Sequence, residues 1–124
     1  MRVKLFLLKR LWDKISQTNF NERSHIHISF KMIQNMIKII LYVDSKLLDG
    51  FTICPSINGT LLLDYIKTSN LFCIFNISEH EFSTCYGEYA LAYKDTVENM
   101  NEFSGEFSLE TIEQHIKDFK TEYE

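Results

Sequence analysis

The spacing of apolar residues changes period twice along this chain, and few folds accommodate both changes. Up to about Leu48 the apolar positions repeat at helical intervals. From Ile57 they alternate, and after Ser108 the helical interval returns. A period of 3.6 buries one stripe of a helix, and a period of 2 buries one face of a strand. The order is therefore two helices, a run of short strands, then a helix. The pattern predicts an α+β domain with helices over one sheet face.

Residues 3–16 read as the first helix. Leu5, Leu8, Leu11, Trp12 and Ile15 share a face that should enter the core, and Lys9, Arg10 and Lys14 lie away from it. Lys4 breaks the stripe, and residues 17–24 form a polar connection. The second helix is predicted from near Ser29 to about Leu48. Its wide apolar face holds Met32, Ile33, Met36, Ile37, Ile40, Val43 and Leu47, and Asp49-Gly50 ends it.

The strands are expected within 55–107. Leu61, Leu63 and Tyr65 alternate with Thr60, Leu62 and Asp64, and Leu71 to Ile77 is almost continuously apolar. Phe82, Thr84 and Tyr86 share a face, and beyond Gly87 the aromatic phase shifts to Tyr89, Leu91 and Tyr93. A one-residue phase change of this kind marks a bulge or tight turn. Residues 95–101 read as a loop and 102–107 as a short last strand, giving an antiparallel meander of four or five strands. Both faces of 61–66 and 71–77 carry apolar residues. Either helices cover both faces, or an apolar strip awaits a partner. Ser108 caps a C-terminal amphipathic helix, 108–123, with Leu109, Ile112, Ile116, Phe119 and Tyr123 on one side. The 124 residues make one domain, 1–124.

Charge divides more sharply than any motif. Residues 1–48 hold nine Lys/Arg against three Asp/Glu, and 49–124 hold four against fourteen; +6 and −10 sum to the net −4. An acidic half repels nucleic acid and attracts basic protein surfaces. Cys54, Cys73 and Cys85 are odd in number and form no C-x-x-C, which points to a reducing compartment without a disulfide framework. The opening apolar run stops at Leu8 and no cleavage site follows, so the expected location is cytoplasmic. No stretch approaches the ~20 apolar residues that span a bilayer.

Catalytic signatures are missing. The four glycines are widely spaced, there is no phosphate-cradling loop, and neither G-x-S-x-G nor H-E-x-x-H occurs. His25 and His27 would share a side of a strand and could begin a zinc site, but a third ligand must come from far away. Glu79-His80-Glu81 could pair carboxylate with imidazole for acid–base work, but no activated nucleophile accompanies it. No cofactor, metal or catalytic residue is expected.

The segment from Pro55 through Gly59 to Tyr65, with Phe75 to Ser78 and Phe82-Ser83, resembles a pattern in small bacterial accessory proteins of poorly described function. Tyr65 stands where that pattern has an aromatic residue, often Trp. The resemblance implies a meander working beside another gene product, and no catalytic residues.

The expected function is a non-enzymatic protein-binding module of the immunity-protein or antitoxin kind, presenting an acidic face to a basic partner such as a toxin or nuclease. Glu102, Glu106, Glu110, Glu113 and Asp118 are the expected contacts, with Tyr89 and Tyr93 as aromatic anchors. No nucleic acid or membrane is expected as a partner. The alternatives are a small metal-dependent or hydrolytic enzyme and a self-associating structural domain, the latter a possible homodimer.

Overall fold

A computed structural model describes residues 2–20, 26–89 and 97–124. The elements are α1 (Arg2–Asn19), α2 (Phe30–Tyr42), α3 (Ser45–Leu48), β1 (Phe51–Pro55), β2 (Leu61–Tyr65), β3 (Leu71–Ile77), β4 (Glu81–Tyr89), β5 (Val97–Glu106) and α4 (Leu109–Tyr123). The five strands pair antiparallel in chain order, β1-β2-β3-β4-β5. This is an α+β fold, with N-terminal helices, an antiparallel meander and a C-terminal helix.

The helices line one face of the sheet. There α1 packs along β1, α2 reaches β2 and β3, and α4 lies over β4. Alternate strand residues supply that face: Ile53, Leu63, Phe75 and Thr84 stand in register across four strands, and all four are buried. Ile112, Ile116 and Phe119 of α4 are fully buried against them. Ser108 Oγ accepts from the Thr111 amide at 3.2 Å, so α4 is capped as its sequence predicts.

Several boundaries differ from the sequence reading. The second helix is broken: the chain turns extended at Val43, and Asp44 restarts it by accepting from the Lys46 amide at 2.9 Å. Apolar Val43 and Leu47 continue the stripe, but the Asp-Ser pair between them is a fresh N-cap. Gly50 takes φ +94°, and a Cβ there would lie 2.8 Å from the Tyr65 ring. The chain therefore turns directly into β1, a strand earlier than expected. Pro55 is tolerated at its end because β1 is an edge strand. The segment read as a loop at 95–101 becomes strand from Val97. The register irregularity falls between Glu88 and Tyr89, and Gly87 keeps its place opposite Phe72 and Met100.

The first helix runs on to Asn19, whose side chain accepts from the Ile28 amide at 2.7 Å and donates to the Ile28 carbonyl at 2.8 Å. Its core stripe is Leu7, Leu11, Ile15 and Thr18. Trp12 and Leu5, expected inside, are 66% and 59% exposed. Apolar residues span both arcs of α1, so periodicity alone could not choose between them. Lys4, out of place in a core stripe, donates to the Leu41 carbonyl at 2.9 Å. It thereby satisfies a carbonyl near the end of α2.

Candidate functional site

The register of the five strands puts a second set of side chains on the face away from the helices. One row crosses the whole sheet as Thr52, Asp64, Ile74, Cys85 and Glu102, and the next as Cys54, Leu62, Asn76, Ser83 and Ser104. Glu81 stands opposite Glu106 at one end, and Phe72, Gly87 and Met100 align at the other. Tyr89 closes that end with its ring 5.0 Å from Phe72. A shallow hollow of about 570 Å³ lies over Leu62, Ile74, Asn76, Cys85 and Glu102.

Among the described residues no strand contains a lysine or arginine, whereas Asp64, Glu81, Glu102 and Glu106 fall on this face by register. Basic groups approach it at two margins. Arg10 and Lys14 of α1 act on the Cys54 thiol at the β1 edge. Lys31 and Lys38 of α2 share a cleft of about 430 Å³ with Glu79, Glu81 and Glu106. Among the described residues the ion pairs are Lys67–Asp49, Lys67–Glu124, Lys117–Glu113 and Lys120–Glu124. Each lies within 49–124, and the four carboxylates of the uncovered face enter none of them.

Burial raises the Asp64 carboxyl above its ordinary value, and no hydrogen bond or ion pair offsets this among the described residues. A group whose folded pKa is raised adds stability below its unfolded value of 3.8 and loses that contribution as pH climbs through the folded value. Asp64→Asn is therefore expected to lift the unfolding midpoint by a few degrees at pH 7. The two midpoints should converge near pH 3.5. Thermal melts at the two pH values check this, and an equal gain at both would mean that charge is not the cause.

The thiols on the same face are held protonated. Burial raises Cys54, with the charge of Asp64 adding to it and Lys14 and Arg10 opposing, and burial plus Glu102 raises Cys85. That is the reverse of what a thiolate nucleophile requires.

The expected contact residues divide between two layers. Glu102, Glu106 and Tyr89 share the uncovered face, with Glu106 and Tyr89 at its opposite ends. Glu110, Glu113 and Asp118 are on α4, on the far side of the sheet; Glu113 pairs with Lys117 at 3.5 Å, and Asp118 accepts from Gln114 at 2.9 Å. Glu106 and Glu110 are the link, because β5 runs almost directly into α4. Tyr93 and His25 lie outside the described residues.

Glu79-His80-Glu81 forms a backbone-held turn. The Ser78 amide and hydroxyl both donate to the Glu81 carbonyl, at 3.1 and 2.9 Å, and the His80 carbonyl accepts from the Phe107 amide at 2.9 Å. His27 is exposed and borders an apolar groove. Among the described residues no three His, Cys, Asp or Glu side chains gather as a metal ion would need, and no helix is long and apolar enough to cross a membrane.

No family model matches this chain, and no curated protein or solved structure matches it either.

Sequence reasoning did not place Asp64 or Glu81 among the partner contacts, and read Glu81 only within the Glu79-His80-Glu81 turn. Asp64 was visible as the one carboxylate in an otherwise apolar strand, and Glu81 as a charge beside a turn. Their common face with Glu102 and Glu106 depends on strand register, which no local pattern specifies. His115 was also missed. Its ring lies 4.7 Å from Phe103 and its Nδ1 3.5 Å from the Tyr86 hydroxyl, and burial lowers its pKa while Asp118 opposes. It belongs to the α4–sheet packing.

Proposed function

We propose that this chain is a non-enzymatic protein-binding module that offers the uncovered face of its sheet to a basic protein, in the manner of an immunity protein or antitoxin occupying a cationic groove. One observation carries the reading: among the described residues, a five-strand face without helix cover bears four carboxylates and no basic residue of its own strands. Leu62, Ile74 and Met100 supply apolar contact between the charges, and Tyr89, backed by the buried Phe72 ring, offers an aromatic end.

Two features favour binding over a merely solvated surface. Glu81 and Glu106 are directly opposed across two strands, an arrangement that costs stability. Burial raises the Asp64 carboxyl, so its site penalises the charged form. A bound cation would relieve both. Pairing this face with a second copy would instead set carboxylate against carboxylate.

Affinity capture from cells of the source organism tests the proposal, using wild type and the variant Glu81→Lys/Glu102→Lys/Glu106→Lys. The expected result is a protein with a basic surface, retained by wild type and reduced at least about tenfold with the variant, the scale of three lost charge contacts. Equal recovery by both, with the variant folded by circular dichroism, would refute the assignment of this face.

A further inference from the structure

The two edges of the sheet are built differently. At one, β1 is five residues long, ends on Pro55 and has α1 alongside it. At the other, β5 is ten residues long, contains no proline and keeps unbroken register with β4 from Asn99 to Glu106. Met100 to Ser104 and Glu106 are exposed. A long edge strand of this kind is a template for pairing with another chain.

The phase of the hydrogen bonds fixes which backbone groups of β5 point outward. The Phe107 amide donates to the His80 carbonyl at 2.9 Å, so Glu81 and Glu106 form a non-hydrogen-bonded pair of the antiparallel ladder. Pairs alternate along such a ladder, and Asn101, Phe103 and Gly105 therefore turn their N–H and C=O groups to β4. Met100, Glu102, Ser104 and Glu106 turn theirs away from the sheet. The side chains of these same residues stand on the uncovered face. On the helix side of β5 is Phe103, its ring 40% exposed, 4.7 Å from His115 and extending over Gly105.

We infer that β5 takes an extended basic segment of a partner protein as a sixth strand, which rests on the basic-partner reading of the uncovered face. Antiparallel addition continues the arrangement of the five existing strands. The outward groups of Met100, Glu102, Ser104 and Glu106 then bond the segment, and its alternate side chains decide which segment is accepted. Residues directly opposite Glu102 and Ser104 lie on the uncovered face among the Glu102 and Glu106 carboxylates, where lysine or arginine fits. The residues between them lie over Phe103 and Gly105 and are apolar. A second copy is a poorer occupant. Two β5 strands paired antiparallel about a two-fold axis keep the same face outward, which would gather Glu102 and Glu106 of both copies on one face. The glutamates that hold copies apart leave the edge open to a strand of opposite charge.

Hydrogen exchange of the isotopically labelled chain reads the two sides of β5 separately. The probe is a synthetic peptide of about eight residues alternating lysine and valine, long enough to pair from Asn99 to Glu106. Without it, the amides of Asn101, Phe103 and Gly105 should be protected by β4, and those of Met100, Glu102, Ser104 and Glu106 should exchange freely. With saturating peptide the second set should slow by at least about tenfold. A peptide with glutamate in place of lysine should bind at least about tenfold more weakly. N-methylation of the lysine amides, which point at β5 in the added strand, should abolish protection, whereas N-methylation of the valine amides should leave it. Ser104→Pro removes an outward donor and no bond to β4, and should weaken binding likewise; the N-methylated pair tests the same point on the unaltered chain. Binding seen as amide shifts on the sheet face, with the four outward amides still exchanging freely, would overturn the inference and leave the reading of the face standing. No binding at all, or equal loss from both N-methylated peptides, would also overturn it. So would protection of those amides that grows with protein concentration without peptide, the mark of self-pairing.

Discussion

Phe119→Ala is expected to destabilise the fold by about 3–5 kcal/mol, the range for truncating a fully buried aromatic residue. Phe119 is fully buried, and its ring meets Tyr65 at 4.9 Å, Tyr86 at 5.9 Å and Tyr123 at 5.7 Å. Removing it opens a cavity where α4 covers β2 and β4. It also loosens a polar seam that depends on the same helix. Lys120 donates to the Asp49 and Lys46 carbonyls at 2.7 and 3.1 Å, and the Tyr65 hydroxyl donates to Glu124 at 2.6 Å. Burial and that glutamate push the Tyr65 phenol up to about 12. By contrast, Trp12→Ala should cost within about 0.5 kcal/mol, as for an ordinary surface substitution, because Trp12 projects into the open groove. Urea titrations of the two variants test the pair. A Trp12→Ala loss as large as that of Phe119→Ala would mean that α1 packs through its Leu5–Trp12 side.

Charge reversal on the uncovered face is expected to separate binding from stability. Glu81→Lys alone turns the repulsion with Glu106 into attraction but adds a lysine to the cleft that Lys31 and Lys38 line, so the two effects offset and stability should change by less than about 1 kcal/mol. The same substitution should slow association with the basic partner. In the triple variant the loss should reach about tenfold to a hundredfold, chiefly in the association rate and chiefly at low salt, because long-range attraction steers encounter and is screened by ions. Stopped-flow association at two salt concentrations, alongside denaturation midpoints, resolves the two effects. A variant as stable as wild type and slower to bind cannot owe its defect to misfolding. If Glu81→Lys bound at the wild-type rate, the Glu81–Glu106 end of the face would have no part in recognition.

Elements governed by local chemistry were legible in the sequence, and features governed by register or by choice among equivalent surfaces were not. The C-terminal helix is legible because Ser108 and a narrow apolar arc leave one orientation. The strand at Leu71–Ile77 is legible from its unbroken apolar run. Trp12 was misplaced because α1 is apolar over two adjacent arcs, and the choice between them is made by β1, the strand that the sequence concealed behind Pro55 and a helix terminus. The continuous second helix was an error of the same kind, since the apolar stripe masked the Asp44 cap. At the candidate site, the acidity of the second half was plain, but its division between a sheet face and α4 was not. Glu102 and Glu113 are eleven residues apart in sequence and on opposite layers in space. Of the two alternatives for the sheet's second side, helix cover or an apolar strip, the described residues present Leu62 and Ile74 there with carboxylates set among them.

The most direct measurement is a titration of the isotopically labelled chain with a short arginine-rich peptide, followed by backbone amide shifts at low and at physiological salt. If the uncovered sheet face receives cations, the amides of Asp64, Glu81, Cys85, Glu102 and Glu106 should shift together and saturably. Salt should suppress the change, and α4 should remain still. Shifts gathered instead around Glu110, Gln114 and Asp118, with the strands silent, would contradict the account at its centre.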